Sequence, residues 1–231
     1  NYVSFFDAMR FVNWLHNGQP TGSQGGNTTE AGAYAIADGL TEVRSASATF
    51  FLPTVNEWYK AAYHQPAFDG GDSDNYWLYP TASNSVPTAA TANPIGDISN
   101  PGPNIANFDF GADWNGLNGN VTTVGSAGPM SESYYGTSDQ GGNLYEWIEG
   151  IALDNFGGPV RILRGGAFGN AESKLRSSFQ GIDPPWAESK GVGIRVARPF
   201  PQGDIPVASS WGIVVMTLLV LNVGTIAYSR R

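Results

Sequence analysis

The chain has 231 residues, 41% hydrophobic and only 14% charged, with 30 glycines and 15 prolines. That balance excludes a disordered chain and a helical bundle, leaving one large domain or two small ones rich in turns. A net charge of −8 and a pI near 4.6 exclude the basic stripe that nucleic-acid binding needs. Cysteine is absent, which removes disulfides, zinc–thiolate sites, iron–sulfur clusters and thiol nucleophiles. The only histidines, His16 and His64, sit at predicted helix ends and are too few for a three-ligand catalytic metal site.

The opening NYVSFFDAMRFVNWLHNG predicts an amphipathic helix over residues 4–17. Ser4 caps it, Phe5, Ala8, Met9, Val12 and Leu15 share one face, and Gly18 ends it. The pattern begins at once, with no Met and no basic-then-apolar leader, so an upstream segment carrying a signal peptide is expected. A polar, Gly/Thr-rich connection runs to about Ala48. The stretch TFFLPTVNEWYKAAYH then predicts a second helix, started by a Thr54–Glu57 capping box and buried through Trp58, Ala61 and Ala62.

Residues 70–128 show almost no periodicity and are dense in turn residues. A loop of that length in a compact domain needs pins other than ladder hydrogen bonds, and bound cations are the usual ones. Next comes SDQGGNLYEWIEG, residues 138–150, with Glu146 set between Tyr145 and Trp147. A carboxylate there can be a catalytic acid, a metal ligand or a buried hydrogen-bonder, and composition leaves all three open. The runs RILRGGAFG (161–169) and GVGIRVARP (191–199) predict paired strands that close the domain.

The boundaries that follow are a domain over 1–200, a linker over 201–206 and a membrane tail over 207–231. Residues 211–228 form about eighteen positions without a charge, near the minimum for a bilayer span. Arg230 and Arg231 on the short flank place that end in the cytoplasm and the domain outside. The preceding IPVASSWG resembles bacterial Ile-Pro-Thr-Leu-type sorting tails, departing at Val207, Ala208 and Ser210. That likeness implies an exported, envelope-anchored protein and a sorting protease as a partner.

Five motifs in one order, NYVSFFDAMRFVNWL, FFLPTVNEWYKAAYH, GGNLYEW, LRGGAFGN and GVGIRVA, resemble the formylglycine-generating enzyme (sulfatase-modifying factor) family. The resemblance implies an α+β fold of the irregular C-type-lectin-like kind, with two helices, small antiparallel sheets and calcium-pinned loops. Enzymes of that family use two copper-binding cysteines a few residues past the Arg-Gly-Gly strand. Alignment on Arg164, Gly165 and Gly166 puts Asn170 and Leu175 there, and neither side chain ligates copper. The resemblance further implies a calcium site of the Asp139 side chain, the Gly142 and Leu144 carbonyls and the Glu146 side chain. Asp139 stands where the family has Asn and adds negative charge. A second site takes the Asn107 side chain and the Phe108 carbonyl, with further ligands among Asp109, Asp113, Asn115 and Asn118.

The function expected is a non-catalytic, calcium-stabilised, cell-surface module binding a glycan or a protein or peptide ligand. Asn170 and Arg176 are expected to line the cavity vacated by the cysteines. Trp77, Tyr79, Trp114, Tyr134, Tyr135 and Trp186 are candidates for stacking on ligand, whereas Arg164 and Arg195 are expected to pair with buried acids or carbonyls. The alternatives are an enzyme or accessory domain completed by an upstream region or a His-rich, iron-holding partner, a repurposed hydrolase, and a purely structural envelope protein.

Overall fold

In the computed structural model, which describes residues 1–199, Ser4 caps the first helix, α1 (Phe5–His16). The cap is reciprocal: Ser4 Oγ accepts from the Asp7 amide at 3.2 Å, and the Asp7 carboxylate accepts from the Ser4 amide at 3.0 Å. Phe5, Ala8, Met9 and Val12 are fully buried, as their spacing predicts. Leu15 is only half-buried, and Asn13 takes an interior place instead. Its amide donates to the Thr29 and Tyr34 carbonyls at 2.8 and 2.9 Å and its oxygen accepts from the Tyr34 amide at 2.8 Å. A buried amide is tolerated because these bonds satisfy it, and they dock the long connection against the helix.

The predicted capping box starts the second helix, α2 (Val55–Tyr63), and Arg44 also holds Glu57 at 2.8 Å. The buried face is Trp58, Ala62 and Tyr63, with Ala61 half-buried.

Two residues each from β1 (Thr88–Ala89) and β2 (Ile105–Ala106) pair in parallel. The larger sheet contains β3 (Tyr145–Leu153), β4 (Pro159–Arg164), β5 (Gly181–Asp183) and β6 (Val192–Ile194), in the order β5-β4-β3-β6. The two late runs therefore flank β3 rather than pairing with each other. The sheets are also not purely antiparallel, since β6 runs parallel to β3. β3 escapes alternation analysis because Glu146, Trp147 and Ile148 are buried in succession. Both faces of the sheet are covered. Trp147 and Leu163 pack with Phe5, Met9 and Val12 of α1, whereas Ile148 and Ile162 pack with Trp58, Ala62 and Tyr63 of α2.

Between the helices and β3 the chain is irregular, as its turn residues predict. Two small clusters hold it: Tyr79, Ala106, Phe108 and Leu175, and Ala90, Ile98, Ile105 and Ala127. Asn1–Arg198 form one compact unit. Among the described residues no helix is long and apolar enough to cross a membrane. The expected linker and tail lie outside the described residues.

Candidate functional site

The loop before β3 is shaped by residues with left-handed backbone: Asp139 (φ 57), Gly142 (φ 81) and Asn143 (φ 60). Asp and Asn tolerate that region better than other side-chain-bearing residues, and glycine adopts it freely. Gly142 is required for a second reason, because a Cβ there would stand 2.2 Å from the Asn107 carbonyl oxygen. This close approach lets the Asn143 amide donate to that carbonyl at 2.8 Å.

Glu146 follows on β3 and is 5% exposed. Its Oε1 accepts from Arg195 Nη2 at 2.7 Å, while Oε2 accepts from Arg195 Nε at 2.8 Å and from Trp58 Nε1 at 2.6 Å. These donors use three of the roughly four lone-pair positions of a carboxylate. Burial pulls the Arg195 guanidinium down, but its pairing with Glu146 outweighs this and leaves it above its ordinary value. Arg195 also donates to the Ser138 carbonyl at 2.7 Å, tying the loop to the last strand. The geometry is that of a buried, hydrogen-bonded ion pair.

Asp139, Leu144 and Glu146 line one cavity of about 300 Å3, together with Val124, Asn143 and Arg195. Gly142 is not part of its wall; it faces Asn107 instead. Asp139 Oδ2 accepts from the Gly125 amide at 2.7 Å. Burial pushes the Asp139 carboxyl up, against the pull of that amide and Arg195, and Glu146 and Glu132 add to the rise. A desolvated acid beside other acids is stabilised by a cation.

Asn107 is 1% exposed, and its Nδ2 donates to the Asn120 carbonyl at 2.8 Å. Nδ2 also meets Asn143 Oδ1 at 3.3 Å, so two acceptors set the orientation of the amide. Its Oδ1 has no hydrogen-bond partner. A buried orphan oxygen costs stability unless another group satisfies it, and a hard cation is one such group. The Phe108 carbonyl already accepts from the Gly111 amide at 3.1 Å, and Asp109, Asp113, Asn115 and Asn118 are exposed. Asn143, absent from the expected ligand sets, joins the two regions by accepting from Asn107 and from the Thr122 amide at 2.9 Å. Its place between Gly142 and Leu144 was the signal for it. Among the described residues no three His, Asp or Glu side chains converge, so a cation here would rely on amide and carbonyl oxygens as well as carboxylates.

At the positions that the resemblance gives to the thiols, Leu175 is fully buried beside Tyr79, Ala106 and Phe108, and its carbonyl accepts from the Tyr63 hydroxyl at 3.0 Å. Asn170 lines an open cavity of about 230 Å3 with Phe110, Tyr145, Phe168 and Lys190. Burial pushes the Tyr145 phenol up to about 12, so it stays a neutral donor at that wall. Arg176 does not join Asn170: it reaches the Tyr79 hydroxyl at 3.1 Å and Glu172 at 3.3 Å. Leu175 packs in its apolar cluster, and Arg176 is not among the residues that line the Asn170 cavity.

Arg164 meets carbonyls as expected, donating to Ser177 at 2.9 Å and to Phe179, with its guanidinium over the Trp58 and Tyr59 rings. Trp114 and Trp77 are half-buried and held by indole hydrogen bonds to the Val121 carbonyl and Gln65, and Tyr79 is buried. Trp186, Tyr134 and Tyr135 are exposed. His16 meets Thr49 and His64 meets Tyr135, so neither imidazole faces a serine–carboxylate pair.

A loop-rich α+β domain with two helices, a mixed sheet and no thiol at Asn170 or Leu175 defines the class. The chain matches the sulfatase-modifying factor enzyme 1-like domain of the FGE-sulfatase family over residues 1–200 and belongs to that family. Its fold resembles the crystal structure of CarF, with a TM-score of 0.55 and 22% identity over 87% of this chain and 67% of that one. Treponema denticola variable protein 1 is also similar, with a TM-score of 0.45 and 18% identity over 86% of this chain and 70% of that one. No curated protein matches the chain.

Proposed function

We propose that this domain is a non-catalytic ligand-binding module that keeps the family scaffold without its oxidase chemistry. The supporting observation is the fate of the two thiol positions. Leu175 is sealed in an apolar cluster, and Asn170 stands at the wall of an open cavity with aromatic and amide surfaces. Such walls offer stacking and hydrogen bonds to a ligand, and neither thiol position supplies a copper ligand.

The same reading includes calcium as a structural ion held by the loops. Asp139 and Asn107 are its best-fitting anchors: one is a carboxylate that its surroundings drive toward neutrality, the other an orphan oxygen. Calcium would supply the positive charge that both lack, with the Leu144 and Phe108 carbonyls as the expected neighbours. Export to the cell envelope and anchoring by residues 207–231 complete the proposal, supported by the uncharged run and the Arg230 and Arg231 that flank it.

The test is to incubate the full chain with a peptide carrying a sulfatase-type cysteine motif, copper and oxygen, and to follow peptide mass. The expected result is an unchanged cysteine. Stoichiometric aldehyde would overturn the non-catalytic reading.

A further inference from the structure

The wall of the Asn170 cavity has its acceptors engaged and its donors free. The Ala167 carbonyl accepts from the Asn170 backbone amide at 2.9 Å, Phe168 from the Phe110 amide at 2.8 Å and Gly191 from the Tyr145 amide at 2.8 Å. The Asn170, Ser189 and Lys190 carbonyls likewise accept from Asp109, Tyr2 and Asn1. The side chains show the reverse. Asn170 Oδ1 accepts from the Ala167 amide at 2.8 Å, which leaves Nδ2 as the spare end of the group. Ser189 Oγ accepts from the Gly191 amide at 3.1 Å and keeps its own proton to donate. Among the described residues, Asn170 Nδ2 and the Ser189 and Tyr145 hydroxyls meet no acceptor. Lys190 makes no ion pair among them, and its Nζ lies 5.6 Å from the Phe168 ring. No acid lines the cavity.

Phe110 adds a fixed apolar wall. Its backbone is left-handed, with φ 58, a costly conformation for a bulky residue and one that concentrates at ligand clamps. Its ring presses on Gly169, where a Cβ would stand 2.7 Å from Cε1, yet the residue is 39% exposed. Stacking on a ring already held in place costs less entropy than stacking on a mobile one.

One unpaired ammonium among neutral donors suits a singly charged anion, and the rings beside them suit an aromatic group on the same molecule. Such a donor set repels a metal ion. A phosphate dianion would exceed the single cation, in a chain of net charge −8. A neutral sugar would bring hydroxyl protons to carbonyls that are already engaged. We infer that the Asn170 cavity binds a carboxylate carried next to an aromatic group, the chemistry shared by a free aromatic acid and the C-terminal residue of a peptide. The inference rests on the binding-module reading and names the ligand class for its cavity.

The full chain is titrated by calorimetry with N-acetylphenylalanine, its amide, N-acetylglycine, and a decapeptide ending in phenylalanine as free acid and as amide. Both free acids that carry the ring are expected to bind, and tighter binding of the peptide would assign the peptide source. Amidation is expected to weaken binding about tenfold, the loss of a hydrogen bond to a charged group. N-acetylglycine is expected to bind about fivefold more weakly for want of the ring. Lys190→Gln is expected to bring the acids down to the affinity of the amides, and Lys190→Arg to restore them, which separates loss of charge from loss of fold. Asn170→Trp fills the cavity and is expected to abolish binding, whereas Lys60→Gln, on α2, is expected to change nothing. Amides binding as well as acids, equal weakening of both by Lys190→Gln, binding kept in Asn170→Trp, or no binding of any probe would each overturn the inference. Those results would leave the non-catalytic reading standing, because aldehyde formation on the sulfatase-type peptide is what contradicts it.

Discussion

The sheet around β3 and the irregular stretch before it hold together by different means. Around β3, large apolar side chains from α1 and α2 close on both faces, and the buried acids Glu146 and Glu42 have their own cations in Arg195 and Arg161. In the stretch from Ile105 to Leu144, short side chains hydrogen-bond to backbone, several non-glycine residues adopt left-handed conformations, and an acceptor on Asn107 stays orphaned. The lesson is that the first region leaves one donor, Arg164 Nε, without a partner but pairs its buried acids with arginines, whereas the second has an oxygen and an acid that a cation would satisfy.

Removing a large side chain from the first region gives the largest expected effect. Trp147 is fully buried, packs edge-on against Phe5 at 5.9 Å and donates to the Val3 carbonyl at 2.7 Å. Trp147→Ala is expected to cost about 3–5 kcal/mol in denaturant unfolding, and a loss below 1 kcal/mol would show that the core lies elsewhere. Glu146→Gln strands the Arg195 charge and is expected to cost about 3 kcal/mol. Calcium should not alter that loss if the pair is self-sufficient. Gly142→Ala probes the junction of the regions: its Cβ meets the Asn107 carbonyl at 2.2 Å and its left-handed backbone disfavours alanine. About 2 kcal/mol is expected from the backbone strain, read as a lower thermal midpoint.

Asp139 gives a smaller effect whose sign is diagnostic. Its carboxyl is raised by burial, so without a cation its contribution is full below its ordinary value of 3.8 and is lost as pH rises through the raised value. Asp139→Asn should therefore be neutral or stabilising by up to about 1 kcal/mol at neutral pH with chelator present. With calcium the same substitution should destabilise. A substitution with one sign in both conditions would contradict a role for Asp139 in ion binding. The smallest effect belongs to the surface. The hydrogen bond from Arg10 holds the Glu30 carboxyl down to about 2, so its contribution is present above pH 4.5 and fades as pH falls toward 2. Solvent screening limits Glu30→Gln to about 0.5 kcal/mol at pH 7, checked by comparing unfolding at pH 7 and pH 3.

What could be read in advance divides along the same line. Both helices were legible because capping residues and three- and four-residue spacing are local signals. β3 was not, because a strand covered on both faces loses its alternation and reads as part of a loop motif. Asn13 shows the same limit: an amide on a helix looks polar and outward until the connection that it docks is folded over it. At the site, the family motifs brought Asp139, Leu144 and Glu146 to one cavity. Arg195 was expected to pair with a buried acid or carbonyl, but the motifs did not show that its partner, 49 positions away, is Glu146 itself. Nor could they show that Leu175 packs with Tyr79 and Phe108 from distant segments, or that Arg176 turns to Tyr79 and Glu172 rather than to Asn170.

The proposed contrast between a sheet held by its own atoms and a loop region held by a cation is tested most directly by amide hydrogen exchange of the full chain with calcium and with chelator. The account predicts that calcium slows exchange at residues 105–125 and 138–144 while the β3 and β4 amides stay unchanged. Equal protection in both conditions throughout those loops, or a calcium response confined to β3 and β4, would contradict it.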